Sequence, residues 1–270
     1  TRVNAQGLVE NVQILSSNLV QNGDFSEEGA EQITNGNFSN GSADWNNEGV
    51  WTIENGVANG NGANGASKEL TQFITPLVIG KTYKIVYDVL NYVSGSVLFV
   101  LSGDTGTSGI ARNSNGTYTE YVSPLGANSN FKIRGSVFNG SVTNISVKEV
   151  GQNWTFSSGA FITDIGARLT HTPTAGTVSS VGYSPLVLGN NYKMTYEITE
   201  SISGGIKINS AVNPTMVGTV GVHTKYFEAD SPSISISRTN SGGNDVTITN
   251  IKIIEITTDT SLPRINYEGF

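Results

Sequence analysis

Apolar residues in this chain recur at every second position far more often than at every third or fourth. Lys81–Leu90 shows the pattern most cleanly: Tyr83, Ile85, Tyr87 and Val89 fall on one face of an extended chain, Lys84, Val86, Asp88 and Leu90 on the other. Val97–Leu101 is an unbroken apolar run, which suits a strand covered on both faces. Val50–Ile53 and Val57–Ala58 flank Glu54-Asn55-Gly56, an Asn-Gly hairpin signal. Leu70–Ile74, Tyr118–Val122, Phe131–Arg134 and Asn144–Val150 complete a first set of strands, and the order recurs from Trp154 to Thr257 with longer, more polar turns. No segment holds a 3.6-residue apolar period beyond two turns, so no helix is expected. Asn59–Gly65 (NGNGANG) reads as a surface loop, because glycine tolerates positive φ and the segment has nothing to bury.

The recurrence is visible in letters as well as in pattern. Pro76–Gly95 returns at Pro185–Gly204 with a constant offset of 109, and nine of the twenty positions are identical, among them Tyr83, Lys84, Tyr87 and Gly95. Gly116–Val122 answers Gly221–Phe227 at offset 105, and Asn144–Glu149 answers Asn250–Glu255 at offset 106. A repeat of this length is a domain, not a solenoid unit. The chain therefore reads as two tandem all-β modules, at residues 18–150 and 151–257, with an arm over 1–17 and an exit linker over 258–270. Asn22–Ser26 (NGDFS) and Asn35–Ser39 (NGNFS) are near-identical, 13 residues apart; one is expected to open the first module as a strand and the other to duplicate it or pair beside it.

Composition narrows the function classes. At 270 residues with 37% apolar and 14% charged content, the chain can bury two ordinary cores and is not disordered. A net charge of −7 with scattered basic residues argues against nucleic acid and against an anionic membrane surface. No apolar run approaches the roughly 20 residues of a membrane span, and the N-terminus lacks a signal-peptide layout. The start at Thr1 without Met fits a piece of a larger protein. Absence of Cys removes disulfides, thiol catalysis and zinc-ribbon sites.

Candidate chemistry is thin. His223 occupies the place of Tyr118 in the repeat and His171 lies in an ordinary strand or loop context, so both read as structural. Glu27, Glu28, Glu48, Glu54 and Glu69 read as solvated surface carboxylates rather than an acid/base pair. Sugar rings stack on aromatic side chains while amides bond their hydroxyls. Trp51 and Trp154 share a Trp-Thr context and are expected in the core, as is Tyr121, which matches Tyr226. Trp45, without a match in the second copy, and Tyr92, replaced there by Ser201, are the candidate ligand contacts, with Asn46 and Asn91 beside them.

The stretch from NLVQNGDFS through Trp45, Trp51, GKTYKIVYDV and SVTNISVKEV resembles carbohydrate-binding modules of the family 4/9/22 type, which are galactose-binding-like jelly rolls. That resemblance implies two antiparallel β-sandwiches, no catalysis, no organic cofactor, and a site for a structural calcium ion at Asp24 and Glu27 with its last-strand partner near Asn144, the alternative being a capped strand end. The ends TRVNAQGLVENV (1–12) and LPRINY (262–267) are similar to adjoining elements of tailed-phage tail-fibre or baseplate proteins. Together they imply an insertion whose termini lie close together, in a virion-surface adhesion protein that contacts host or environmental glycans and neighbouring virion subunits as a homo-oligomer. The alternatives are an architectural fibre spacer or capsid decoration, and an accessory binding region of a secreted polysaccharide-degrading enzyme.

Overall fold

In a computed structural model, residues 2–3, 9–10, 13–47, 49–63, 68–103, 106–157, 159–171, 180–209, 211–212, 214–239 and 242–257 are described. Every element among them is a strand, and every pairing is antiparallel. The chain divides into two compact units, Glu27–Gln152 and a unit built from Thr1–Ser26 together with Asn153–Phe270. The first is thus an insertion within the second; we call them the inserted and host modules. This differs from the expected tandem of 18–150 and 151–257, because residues 18–26 join the module that resumes after Gln152.

The reason lies in the two NG-x-F segments. Neither is a strand. Asn22, Phe25, Asn35 and Phe38 all have positive φ (50°, 62°, 54° and 53°), and each segment closes a tight turn by a bond from Phe25 N to Asn22 O (3.2 Å) or Phe38 N to Asn35 O (3.1 Å). The glycine between has no room for a side chain: a Cβ on Gly23 would stand 2.0 Å from Ile251 O, and one on Gly36 2.0 Å from Ile145 O. Each turn then receives a tryptophan. Trp154 Nε1 donates to Asn22 O at 3.0 Å with its ring 5.1 Å from Phe25. Trp45 Nε1 donates to Asn35 O at 3.1 Å with its ring 5.3 Å from Phe38. One turn plugs each module, so the host keeps NGDF before the insertion and Trp154 after it.

Strand β1 (Arg2–Val3) pairs with β2 (Val9–Glu10) in the arm. The inserted module holds β3 (Glu28–Glu31), β4 (Trp51–Glu54), β5 (Val57–Asn61), β6 (Lys68–Phe73), β7 (Thr82–Gly103), β8 (Thr107–Ser108), β9 (Gly116–Val122) and β10 (Asn128–Val150). Asn59–Asn61, expected in a loop, are ladder residues of β5 opposite Ser141–Asn139; residues 64–65 lie outside the described residues. The host holds β11 (Thr155–Phe156), β12 (Ala160–Thr163), β13 (Gly166–His171), β14 (Ser180–Tyr183), β15 (Asn191–Ser203), β16 (Ile206–Ile208), β17 (Gly221–Glu228), β18 (Ile234–Arg238) and β19 (Asn244–Ile256).

In the host, β12-β13-β19-β15-β17 form one sheet and β11-β14-β18-β16 the other. From β13 to β19 successive strands alternate between the sheets, the winding of a jelly roll. The inserted module has the same plan with fewer breaks. Its strands β7 and β10 span 22 and 23 residues, and each passes from one sheet into the other. The first half of β7 and the last of β10 lie with β9, β5 and β4; the remaining halves lie with β6 and β8. The crossing needs a bare backbone: a Cβ on Gly95 (φ +77) would sit 2.2 Å from Val137 O, and one on its match Gly204 (φ +73) 2.5 Å from Gly243 O.

Alternation fills the cores as expected: Tyr83, Ile85, Tyr87 and Val89 are buried in one module, Tyr192, Met194, Tyr196 and Ile198 in the other. The inserted module begins and ends side by side, with Glu28 opposite Val150 on β3 and β10. The described ends of the host also meet, since Thr257 N donates to Gln13 O at 3.0 Å and Leu15 N to Glu255 O at 2.9 Å. The LPRINY segment and the 258–270 tail lie outside the described residues, as do the terminal residues Thr1 and Phe270.

Candidate functional site

The expected ligand contacts do not form one site. Trp45 is buried, wedged between Phe38 and Phe131, and cannot offer a face to a sugar. Its counterpart is Trp154, which carries the same bond to the same turn, while Trp51, at the first position of β4, corresponds to Ala160 of β12. Asn46 is exposed, and its backbone bridges to Thr71 with bonds of 2.8 Å in both directions. Tyr92 is half-buried; its hydroxyl donates to Gly95 O at 3.1 Å and its ring packs 6.4 Å from Phe138. Asn91 (φ 51°) donates to Ser141 Oγ at 3.4 Å, and Ser141 donates on to Asn59 Oδ1 at 2.7 Å. Trp45 and Tyr92 thus serve different parts of the core.

The calcium candidates flank the chain boundary between the two units. Asp24 belongs to the host, where its carboxylate accepts from Ser26 N (3.2 Å) and Ser26 Oγ (2.9 Å); Glu27 belongs to the inserted module. Asn144 donates its amide N–H to Asp88 Oδ2 at 2.7 Å. Among the described residues no three His, Cys, Asp or Glu side chains gather.

His223 stacks on Tyr196 at 5.5 Å, as Tyr118 does on Tyr87 at 5.8 Å, so it stands where the repeat put it. Tyr121 and Tyr226 instead sit across from Lys84 and Lys193 on the outer side, and Tyr226 is exposed. Glu69 is not a solvated surface carboxylate. It is buried and takes Lys132 Nζ on Oε2 (2.5 Å) and Arg134 Nε and Nη2 on Oε1 (2.8 and 2.5 Å). Burial pushes its pKa up, but the bonds from Lys132 and then Arg134 prevail and hold it below the ordinary carboxylate value.

The features that sequence reasoning passed over lie on the outer faces of the four-stranded sheets, at one shared register. In the host, β14 runs between β11 and β18, so Thr155, Gly182 and Ser235 form a row across three strands. Glycine in the middle of that row leaves a dent. It opens into a shallow groove of about 420 Å³ lined by Asn153, Thr155, Tyr183, Ser184, Ser233 and Ser235. Tyr183 leans on Trp154 at 5.2 Å, which fixes its ring at the groove wall. No lining residue carries a charge.

In the inserted module the offset of 109 sets Phe73 where the host has Gly182, and Asn130 opposite it where the host has Ser235. Among the described residues no strand like β11 runs beside it, only the isolated bridge at Asn46–Thr71. Phe73 is 79% exposed, the barest large apolar side chain among the described residues. Next along the same face come Thr71 with Lys132, then Glu69 with Arg134.

No protein-family model matches the sequence, and no curated protein does. Among solved structures, the chain is similar to the N-terminal tandem of two family-22 carbohydrate-binding modules of Paenibacillus barcinonensis Xyn10C. That match has 10% identity and a TM-score of 0.33, and covers 85% of this chain and 98% of that one. A family-4 carbohydrate-binding module matches at 17% identity and TM-score 0.28, over 48% of this chain and 98% of its own. A truncated AlyQ with family-32 module and alginate lyase domains matches at 10% identity and TM-score 0.24, over 75% and 92%.

Proposed function

We propose that this chain is a non-catalytic adhesion segment that binds uncharged glycans in the Gly182 groove of the host module. The lining carries the reading: Thr155, Ser184, Ser233 and Ser235 bring hydroxyls, Asn153 an amide and Tyr183 its ring to a groove without charge, while the Tyr183 phenol donates to Leu19 O at 3.5 Å. Such a lining can exchange hydrogen bonds with several sugar hydroxyls, and Tyr183 gives one apolar edge for a ring C–H face. The groove is shallow and open, so a single site would be weak. Useful adsorption would come from many copies acting together. The end segments similar to tail-fibre and baseplate proteins are the support for setting that array on a phage virion surface, where homo-oligomers would supply the copies.

A glycan array followed by calorimetry on the intact chain tests the reading. Saturable binding to a neutral glycan is expected, and it should vanish in Gly182→Phe and in Ser235→Trp, which fill the groove from two strands. Retained binding in both variants, or silence of the wild type on all neutral glycans, would overturn it.

A further inference from the structure

We infer that the corresponding face of the inserted module is a second site, taking an acidic sugar that stacks on Phe73 and pairs with Lys132 and Arg134. This rests on the glycan-binding reading but concerns different residues, a different module and a different ligand charge. An aromatic ring left 79% exposed at a ladder position forgoes the burial that normally justifies it. Its neighbours give the reason a chemical form. Asn130 stands directly opposite as an amide donor and acceptor. Lys132 lies one step further along the face, about 7 Å on, and Arg134 one step beyond.

The two cations share one carboxylate. Glu69 receives one Lys132 bond and two Arg134 bonds, through Nε and Nη2. Lysine has three donors and arginine five, so two on Lys132 and the Nη1 pair of Arg134 are not spent on Glu69. Both side chains are partly solvent-exposed, at 24% and 37%. Glu69 therefore acts as a holder that splays two cations across the face and leaves one net positive charge beside the exposed ring. On β7 the residues across from this row are Leu98, Val100 and Ser102, which add no opposing charge. A pyranose bearing a carboxylate fits: apolar C–H face on Phe73, hydroxyls to Asn130 and Thr71, carboxylate to Lys132 and Arg134. The host groove has Gly182 for Phe73 and Ser235 for Asn130, so it lacks that exposed ring, and none of its lining residues is charged.

The probe is a polyuronate, with its carboxyl-reduced form as the neutral control, titrated against the intact chain near 0.15 M salt. There the Debye length is about 8 Å, so the chain's net charge of −7 repels the polymer little beyond the site. The polyuronate is expected to bind more tightly than its reduced form. Phe73→Ala should weaken it about tenfold or more, Lys132→Gln should remove the preference for the acidic form, and Gly182→Phe should change neither. Phe73 is exposed, so its truncation leaves folding intact, which a melting curve verifies. Unchanged affinity in Phe73→Ala overturns the inference. So does loss of polyuronate binding in Gly182→Phe alone, which would hand the acidic ligand to the host groove and leave the glycan reading standing. Competition by single-stranded nucleic acid at the same salt would also overturn it, by showing that the platform takes any anionic ring-bearing polymer.

Discussion

The two modules agree at the NG-x-F turn and disagree on the outer face of the smaller sheet. At the turn, glycine, phenylalanine and tryptophan recur with the same bonds to within about 0.2 Å (3.2 and 3.1 Å, 3.0 and 3.1 Å) and the same ring spacing. At the face, one register position is an exposed phenylalanine in one module and a bare glycine in the other. The turn is fixed because it solves a packing problem: two residues at positive φ bring a glycine carbonyl against the last strand, and a tryptophan closes the gap. The face solves no packing problem, since neither Phe73 nor Gly182 is needed to bury anything. Positions free of packing duty are where two copies of one fold can take up different ligands.

The sharpest way to break the first half of that comparison is to remove the plug from one module at a time. Trp45→Ala strips a buried ring and a hydrogen bond from the inserted module, and a cost of about 3–5 kcal/mol is expected. Hydrogen exchange should then show lost protection across β7 and β10 while β15 and β19 keep theirs. Trp154→Ala should do the reverse. If either variant unprotects both modules together, they fold as one cooperative body and the turn is not a module-by-module device.

A smaller effect tests the corner where β7 and β10 cross between sheets. Val137 is β-branched yet held at φ 53°, a conformation that costs such a residue about 1–2 kcal/mol. Its side chain is 55% exposed, so little packing is at stake. The host has Gly243 at the matching place, its carbonyl facing Gly204 as Val137's faces Gly95. Val137→Gly should raise the inserted module's stability by about 1 kcal/mol, read as a higher unfolding midpoint. A lower midpoint would mean the side chain holds the corner in place.

How much of this was legible in the letters follows from the same division. Lys81–Leu90 announced its buried face because nothing disturbs the two-residue period there. The insertion was not legible, since NGDFS and NGNFS both look like the start of one module; only the bonds to Ile251 and Ile145 assign them. The partner of Trp45 was hidden by a local likeness, Trp-Thr at both 51 and 154, although extending the offset of 109 upstream pairs Trp45 with Trp154. Phe73 could have been found from strict alternation, which sets Leu70, Gln72 and Ile74 inward. The obstacle was Gln72, a polar residue at a core position. It is accepted there because its amide mimics a strand, taking Thr34 N at 2.8 Å and giving to Thr34 O at 2.7 Å. The Gly182 groove has no letter of its own, because a dent depends on which strand lies alongside.

The smallest expected effect concerns charge on the inserted module alone. Glu28 is held below the ordinary carboxylate pKa, first by its bond from Lys148 and then by that from Lys84, at 2.8 and 2.6 Å; Glu69 is lowered as well. Both are therefore more acidic folded than unfolded, and near the carboxylate range the unfolded chain binds more protons. Their contribution is complete above the unfolded value, about pH 4.3 for glutamate, and fades as pH falls through the lower folded values. Lying at the surface, the Glu28 pairs should supply no more than about 1 kcal/mol. Acidification should thus lower protection over β3, β6 and β10. Glu28→Gln and Glu69→Gln should each flatten that slope, the latter while also loosening Lys132 and Arg134 beside Phe73. An acid slope that survives both substitutions would move the charge dependence off these two carboxylates and onto other titrating groups of the module.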